Sequence, residues 1–584
     1  MVRASLSSLL ICLTVAACSD NSNVDESLGY SGPNSTSTST DTDTSDTDET
    51  ETDTSDTDET ETGDPEDVEQ LRYVAAGSHD SVLVALELND PHAVPEPEYI
   101  ATGTALAGVF GATPFGAEAV SHDGDIYQLR VDPQGVFKLS PLVQQDGNWL
   151  HSMWFGDEGA NALMSVTEDP NVGPNLLLWC SYDAEGALTS SFDITPPLDP
   201  GGSALVLARS PDSSHAAVLI DVEPNDVWQL YLLPLHPQLS ESIFIDHLTF
   251  EGVPATNVPA FMFTHLDDQR LVYREEIEVN VLSPLGVSLA DPTAPPVNLA
   301  PSLGHISSIV VSDDNTQMLV STNGANGYRE LRLIEFTGPT SFELPHLITE
   351  PGANAMTNLL LPGGPTTIGH GFDAQGRIWY AYTNTMLSDP KTVGIALVTF
   401  EDGMVVERLE LADNPPGTEF EDISFNQDLQ LLTYRSQTAN LSYINYVDLS
   451  ADQPVEVRVD QALGYFDSTP NDNAGYGWSA DGSQLAVAGI QSGATKLYVA
   501  AFGDPSGATV EVALPDVESA QGITLDHSPR VSPKGDQVIL WYGTQTGLTG
   551  LIHGATDGSA PAEVVLGLQN ALHSGAYLAS APIP

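Results

Sequence analysis

Positive charge, cysteine and familiar catalytic motifs are all scarce in this chain. Only 17 Lys and Arg stand against 81 Asp and Glu in 584 residues. Residues 19–70 hold 18 of those acids and no cation, leaving 63 acids and 16 cations from Leu71 onward. A body this acidic repels nucleic-acid phosphates and anionic headgroups at long range. Nucleic acid is thereby excluded as a partner, and neutral or cationic ligands are favoured. The three cysteines, Cys12, Cys18 and Cys180, exclude a disulfide framework. Cys180 lies in the apolar run "LLLWCSYD", with no neighbour in sequence that would activate it, and reads as a buried thiol. There is no G-x-S-x-G elbow, H-E-x-x-H pair, C-x-x-C or Walker loop. No cofactor is called for, and any hydrolase reading rests on scattered residues.

The leader "MVRASLSSLLICLTVAACSD" carries one cation, Arg3, before an apolar stretch from Leu6 to Ala17. That stretch is too short to span a bilayer and suits a signal peptide. Its end, "VAAC", resembles the lipobox of bacterial lipoproteins. The resemblance implies cleavage after Ala17 and acylation of Cys18, whose palmitate-type chains would hold the protein in a membrane. Ser19 after the cysteine implies the outer membrane under the enterobacterial sorting rule. The expected address is therefore the cell envelope, lipid-anchored.

Next comes "STSTSTDTDTSDTDETETDTSDTDETETGDPED", in which "TDTSDTDETET" occurs at Thr42–Thr52 and again at Thr52–Thr62. Without packable apolar residues this segment cannot offset its ordering entropy, and its carboxylates repel one another. Residues 18–70 thus read as a lipidated cysteine followed by a disordered acidic tether. The Asp-x-Asp spacing lacks the glycine and closing glutamate of an EF-hand.

From residue 71 to 584 the chain repeats itself. Taking Ser479 of "WSADGSQLAV" as anchor, matching units start at 156, 210, 265, 312, 372, 425, 479 and 532. The separations are 54, 55, 47, 60, 53, 54 and 53 residues. Each unit sets an apolar run ("SSIVV") before a polar turn. An apolar strand ("QMLVST"), a third strand ("YRELRLIEF") and an outer strand such as "TVEVAL" follow. Four short strands per period describe a β-propeller blade, which must stack on its neighbours to bury both faces. The fold class is all-β: eight clear modules, eight to ten four-stranded blades, preceded by the tether.

Trp478–Ala488 with Lys496–Ala501, and Ser528–Tyr542, resemble the TolB-type, WD-related propeller repeat. The resemblance spans residues 149–567 and implies a fold rather than an activity. An acidic spacer stands where TolB carries an α/β domain, so the TolB partner does not carry over. Ahead of the clear modules, "LRYVAAGSHDSVLVALEL" supplies second and third strands without a first. "LHSGAYLASAPIP", at the C-terminus, reads as an innermost strand with nothing after it. The expectation is a ring closed by lending this last strand to the first blade. A further unit is expected at about 106–146.

Three histidines share one phase, just before an expected innermost strand: His151 in "LHSMWFG", His527 in "DHSPRVS" and His573 in "LHSGAYL". That phase predicts a ligand-facing rim of the channel; a transition metal there would need all three imidazoles to converge. His79-Asp80 and His122-Asp123 are adjacent pairs that read as turn residues. Trp154, Trp379, Trp478 and Trp541 are expected between blades. Two functions follow. The favoured one is a binding module for an envelope protein, peptide or glycan. The alternative is a metal-dependent hydrolase, lyase or lactonase at the channel mouth.

Overall fold

The computed structural model describes residues 71–579, apart from loops of which 249–263, 356–368, 461–474 and 516–528 are the longest. The leader, Cys18 and the tether lie outside the described residues. All regular structure among those described is β. It forms nine four-stranded sheets and one of five strands. In chain order, sheet 1 covers 71–102, sheet 2 108–141, sheet 3 149–193, sheet 4 203–248 and sheet 5 264–298. Sheets 6 to 10 cover 306–347, 353–413, 418–458, 476–512 and 530–568. Leu572–Ala579 returns to sheet 1.

The ring follows from where the apolar side chains go. Successive residues of a strand point to opposite faces, and here both faces are covered. In Gln484–Gln491, Leu485 and Val487 pack with Ile444 and Tyr446 of sheet 8. Ala486 and Ala488 pack instead with Val538 and Leu540 of sheet 10. Ten such clusters occupy the ten seams, from sheets 1 and 2 through sheets 2 and 3 and onward to sheets 9 and 10. The last joins Tyr73, Val84, Leu86 and Leu88 of sheet 1 to Ile539, Trp541, Leu551 and Val565 of sheet 10. The path therefore returns to its start, as a closed β-propeller. Each fully buried aliphatic or aromatic side chain contributes about 1.5–3 kcal/mol. A sheet standing alone would forfeit that on both faces.

Closure uses the chain ends as expected. Leu572–Ala579 runs antiparallel to Leu71–Gly77, with Tyr577 opposite Tyr73, and is the innermost strand of sheet 1. Elsewhere the first strand of each sheet is innermost, and neighbouring sheets touch through these strands, as Thr264–Leu266 does Ser203–Arg209.

The repeat anchor is the turn between first and second strands. Ser479 N donates to the Gln484 carbonyl at 2.9 Å, while Ser479 Oγ accepts from Gln484 N at 3.0 Å and donates to Asp481 Oδ1. Ser210 with Asp212, Ser312 with Asp314 and Ser532 with Asp536 repeat the Oγ–carboxylate bond at 2.7 Å. Buried backbone groups must be satisfied, and this side-chain pair does it locally in these four copies. Burial alone would raise the Asp314 carboxyl, but hydrogen bonds from Ser312 and Thr316 outweigh it and hold the group below its ordinary range.

The sheet count exceeds the eight clear modules for two local reasons. Sheet 1 has no covalent turn between its first and second strands, because the first comes from the other terminus. Sheet 2, the further unit expected at about 106–146, turns between Thr113 and Ala117 through "PFG", with neither Ser nor Asp. The 60-residue separation reflects sheet 7, whose inner strand is split into Ala353–Ala355 and His370–Phe372. Both pieces pair with Ile378–Asn384.

Candidate functional site

The inner strands share an irregularity. In six of the ten sheets the ladder between first and second strands skips a residue. Phe110, His151, Leu207, Ser307 and His573 are skipped singly, and Asp422 with Ile423 together. A β-bulge bends its strand and re-aims the chain, and bulges concentrate at rims and binding sites. His151 sits between Leu150, opposite Val166, and Ser152, opposite Ser165. His573 sits between Leu572, opposite Gly77, and Ser574, opposite Ala76. Both histidines thus fall within innermost strands, on sheets 3 and 1, rather than just before them. Their side chains, and all of His527, lie outside the described residues.

Several titratable groups are enclosed in the seams. His370 is buried, with Nε2 3.3 Å from Ser308 Oγ across sheets 6 and 7. Burial pushes its imidazole down to about 4, so it is neutral at pH 7. Serine and histidine within reach suggest a nucleophile and its base. Yet Nδ1 has no hydrogen-bond partner to orient it, and both side chains are shut off from solvent. This pair links sheets 6 and 7.

Between sheets 4 and 5 the Tyr273 hydroxyl donates to Asp246 Oδ2 at 2.6 Å. Burial first, then the charge and hydrogen bond of Asp246, raise the Glu275 carboxyl well above its ordinary range. In sheet 2, burial alone raises Glu118 to about 8, and its Oε2 has no hydrogen-bond partner.

Among the described residues one group has metal-ligating geometry: Glu335, Glu343 and His346, whose ligand atoms lie within 4.8 Å of one another. It stands on the outer strands of sheet 6, away from the inner-strand histidines. The sequence signal was a glutamate closing a third strand, then Glu-x-x-His entering the fourth. It is visible only once those strands are known to pair.

The tryptophans pack as expected. Trp379 and Trp541 are buried in seam clusters, and Trp154 and Trp478 pack against two others. Cys180 is buried and free, with burial raising its thiol. His122 ends the strand Ala117–His122. His79, Asp80 and Asp123 lie outside the described residues.

No family model matches the sequence, and no curated protein does. Solved structures resemble it at low identity. A puromycin-hydrolyzing peptidase of Mycobacterium tuberculosis is 12% identical over 62% of this chain and 52% of its own, with a TM-score of 0.29. Apo AztD from Citrobacter koseri is 10% identical over 88% and 99%, at 0.36. The Dos1 propeller is 12% identical over 65% and 86%, at 0.30. The chain spans about half the length of the first of these. None of these likenesses bears on activity.

Proposed function

We propose that this chain is a lipid-anchored envelope protein whose propeller binds a protein, peptide or glycan with neutral or cationic groups. The observation that carries this reading is the recurrent inner-strand bulge. One repeated scaffold takes residues out of the ladder in six sheets: an imidazole in two, an aromatic, an aliphatic and a hydroxyl in one each, and a carboxylate with an aliphatic in the sixth. A varied set of groups on a rigid frame suits recognition. The lipobox-like "VAAC" and the tether support an anchored address. The tether joins the ring at Leu71, on the same sheet that holds the C-terminal strand, so the ring hangs from one sheet.

The test is an array of cationic, neutral and acidic peptides and of glycans, probed with the Cys18→Ala chain. Retention of neutral or cationic probes, weakened by changing His151, His527 and His573 together to Ala while the melting temperature holds, is the expected result. Retention of nothing would end the binding reading. Retention indifferent to the three changes would remove the histidines from the rim.

A further inference from the structure

We propose that Glu335, Glu343 and His346 form a site for a divalent transition-metal ion on the outer edge of the seam between sheets 6 and 7. The arrangement follows from strand register. Arg329–Glu335 and His346–Leu347 pair antiparallel with Leu333 opposite His346. Directly opposed residues share a face, and so does Glu335, two positions beyond Leu333. Glu335 and His346 are therefore diagonal neighbours on the side that meets sheet 7. The connecting hairpin brings in the third ligand. Phe336 bridges Phe342, and Glu343 N donates to the Glu335 carbonyl at 2.9 Å, which holds Glu343 beside Glu335. The Arg270 guanidinium lies 4.0 Å from the Phe336 ring centroid and fixes the base of the hairpin from sheet 5.

The imidazole is held from its other side by sheet 7. Its centroid is 5.2 Å from that of Phe400. A Cβ at Gly403 would come within 3.3 Å of its Cε1. So placed, Nε2 is shielded from solvent yet has no hydrogen-bond partner. Glu335 Oε2 is 3.6 Å away, beyond hydrogen-bond length. That gap fits an ion between the two atoms. With metal–ligand bonds of about 2.1 Å, a 3.6 Å separation subtends roughly 120° at the ion, near the tetrahedral angle.

Gln317 Nε2, 3.4 Å from Glu335 Oε1, orients the carboxylate from the second strand of the sheet. Two carboxylates neutralise a dication, and the imidazole nitrogen selects Zn²⁺ or a neighbouring transition metal over Ca²⁺ or Mg²⁺. Exposed Glu343 leaves a side open to water. The fourth strand is only two residues long, so such an ion would clip it to the third.

The experiment is titration of the full-length Cys18→Ala chain with Zn²⁺ by calorimetry, in excess Ca²⁺ to saturate the tether and the acidic surface. His346→Gln and Glu335→Gln are compared, with melting temperatures recorded with and without Zn²⁺. We expect wild type to bind one equivalent that Ca²⁺ does not displace, and Zn²⁺ to raise its melting temperature. Each variant should weaken that equivalent at least tenfold and abolish the thermal shift. Unchanged Zn²⁺ stoichiometry and affinity in both variants, or complete displacement by Ca²⁺, would overturn the site. Should either variant fail to fold, Glu343→Gln, exposed and outside the ladder, carries the same test. The inference is independent of the proposed binding role, since it stands on metal content alone.

Discussion

The indole Nε1 of Trp541 donates a 2.8 Å hydrogen bond to the hydroxyl of Tyr73, a residue 468 positions earlier in the chain, and the two rings meet edge to face at 6.4 Å. This contact locks sheet 10 to sheet 1. Beside it, Gln537 Nε2 donates to the Leu88 carbonyl at 2.7 Å, and Gln537 Oε1 lies 2.8 Å from His553 Nε2. Burial pushes His553 down to about 4, so it is neutral at pH 7, and because an amide oxygen only accepts, the bond requires the tautomer with its hydrogen on Nε2. Trp541→Phe keeps most of the apolar contact and deletes the donor. It should cost about 1–3 kcal/mol, read as a lower denaturant midpoint at unchanged slope. An unchanged midpoint would show that closure does not depend on this bond.

Deleting residues 572–584 removes the innermost strand of sheet 1 and exposes the edge of Leu71–Gly77. An open edge also invites pairing between chains. The truncated chain should melt several degrees lower, by a loss on the order of several kcal/mol, and should self-associate in light scattering. A monodisperse truncation with the wild-type melting temperature would mean that the first sheet stands without its borrowed strand.

Glu118 makes a contribution to stability that is lost as pH rises from about 4.5 to 8. Its carboxyl ionises in the unfolded chain near the ordinary value but only at about 8 when folded. The folded state thus binds the extra proton across that window. The stabilisation is complete below the unfolded value and is lost as pH rises through the folded one. Glu118→Gln should raise the melting temperature at pH 8, by a gain on the order of a few kcal/mol, and change little at pH 4.5. An equal effect at both pH values would assign Glu118 a packing role only. His370 and His553, both held down to about 4, gain protons on unfolding, so their contribution opposes that of Glu118 and is lost as pH falls from 6.5 to 4.

Cys18→Ala should move the protein from the detergent phase to the aqueous phase in a cloud-point separation. Mass spectrometry of the wild-type mature chain should show an acylated N-terminal cysteine. An unmodified Cys18 or Ser19 terminus would exclude the anchor.

What the sequence determined is whatever recurs within about one period. The Ser-x-Asp turn, the alternation that covers both strand faces and the four-strand grammar are local. The strand grammar writes the propeller legibly in the modules from 156 to 532, and the Ser-x-Asp turn marks those at 210, 312 and 479. The missing first strand at Leu71 and the spare one at Leu572 were also readable, because an unpaired edge at each end of a repeat array has one economical solution. The tertiary structure decided what depends on register and on contacts between distant segments. Sheets 1 and 2 count as full members of the ring although they lack the anchor turn, since packing across a seam depends on side-chain volume rather than on turn chemistry. The shared bulge of His151 and His573 is a property of two ladders, invisible in either strand alone. Glu335 and His346 are eleven positions apart in sequence and 3.6 Å apart in space because a hairpin folds them onto one face and Phe400 of the next sheet fixes the ring. Strand alternation follows from covalent geometry, whereas that convergence exists only once the strands have paired and the sheets have closed on one another.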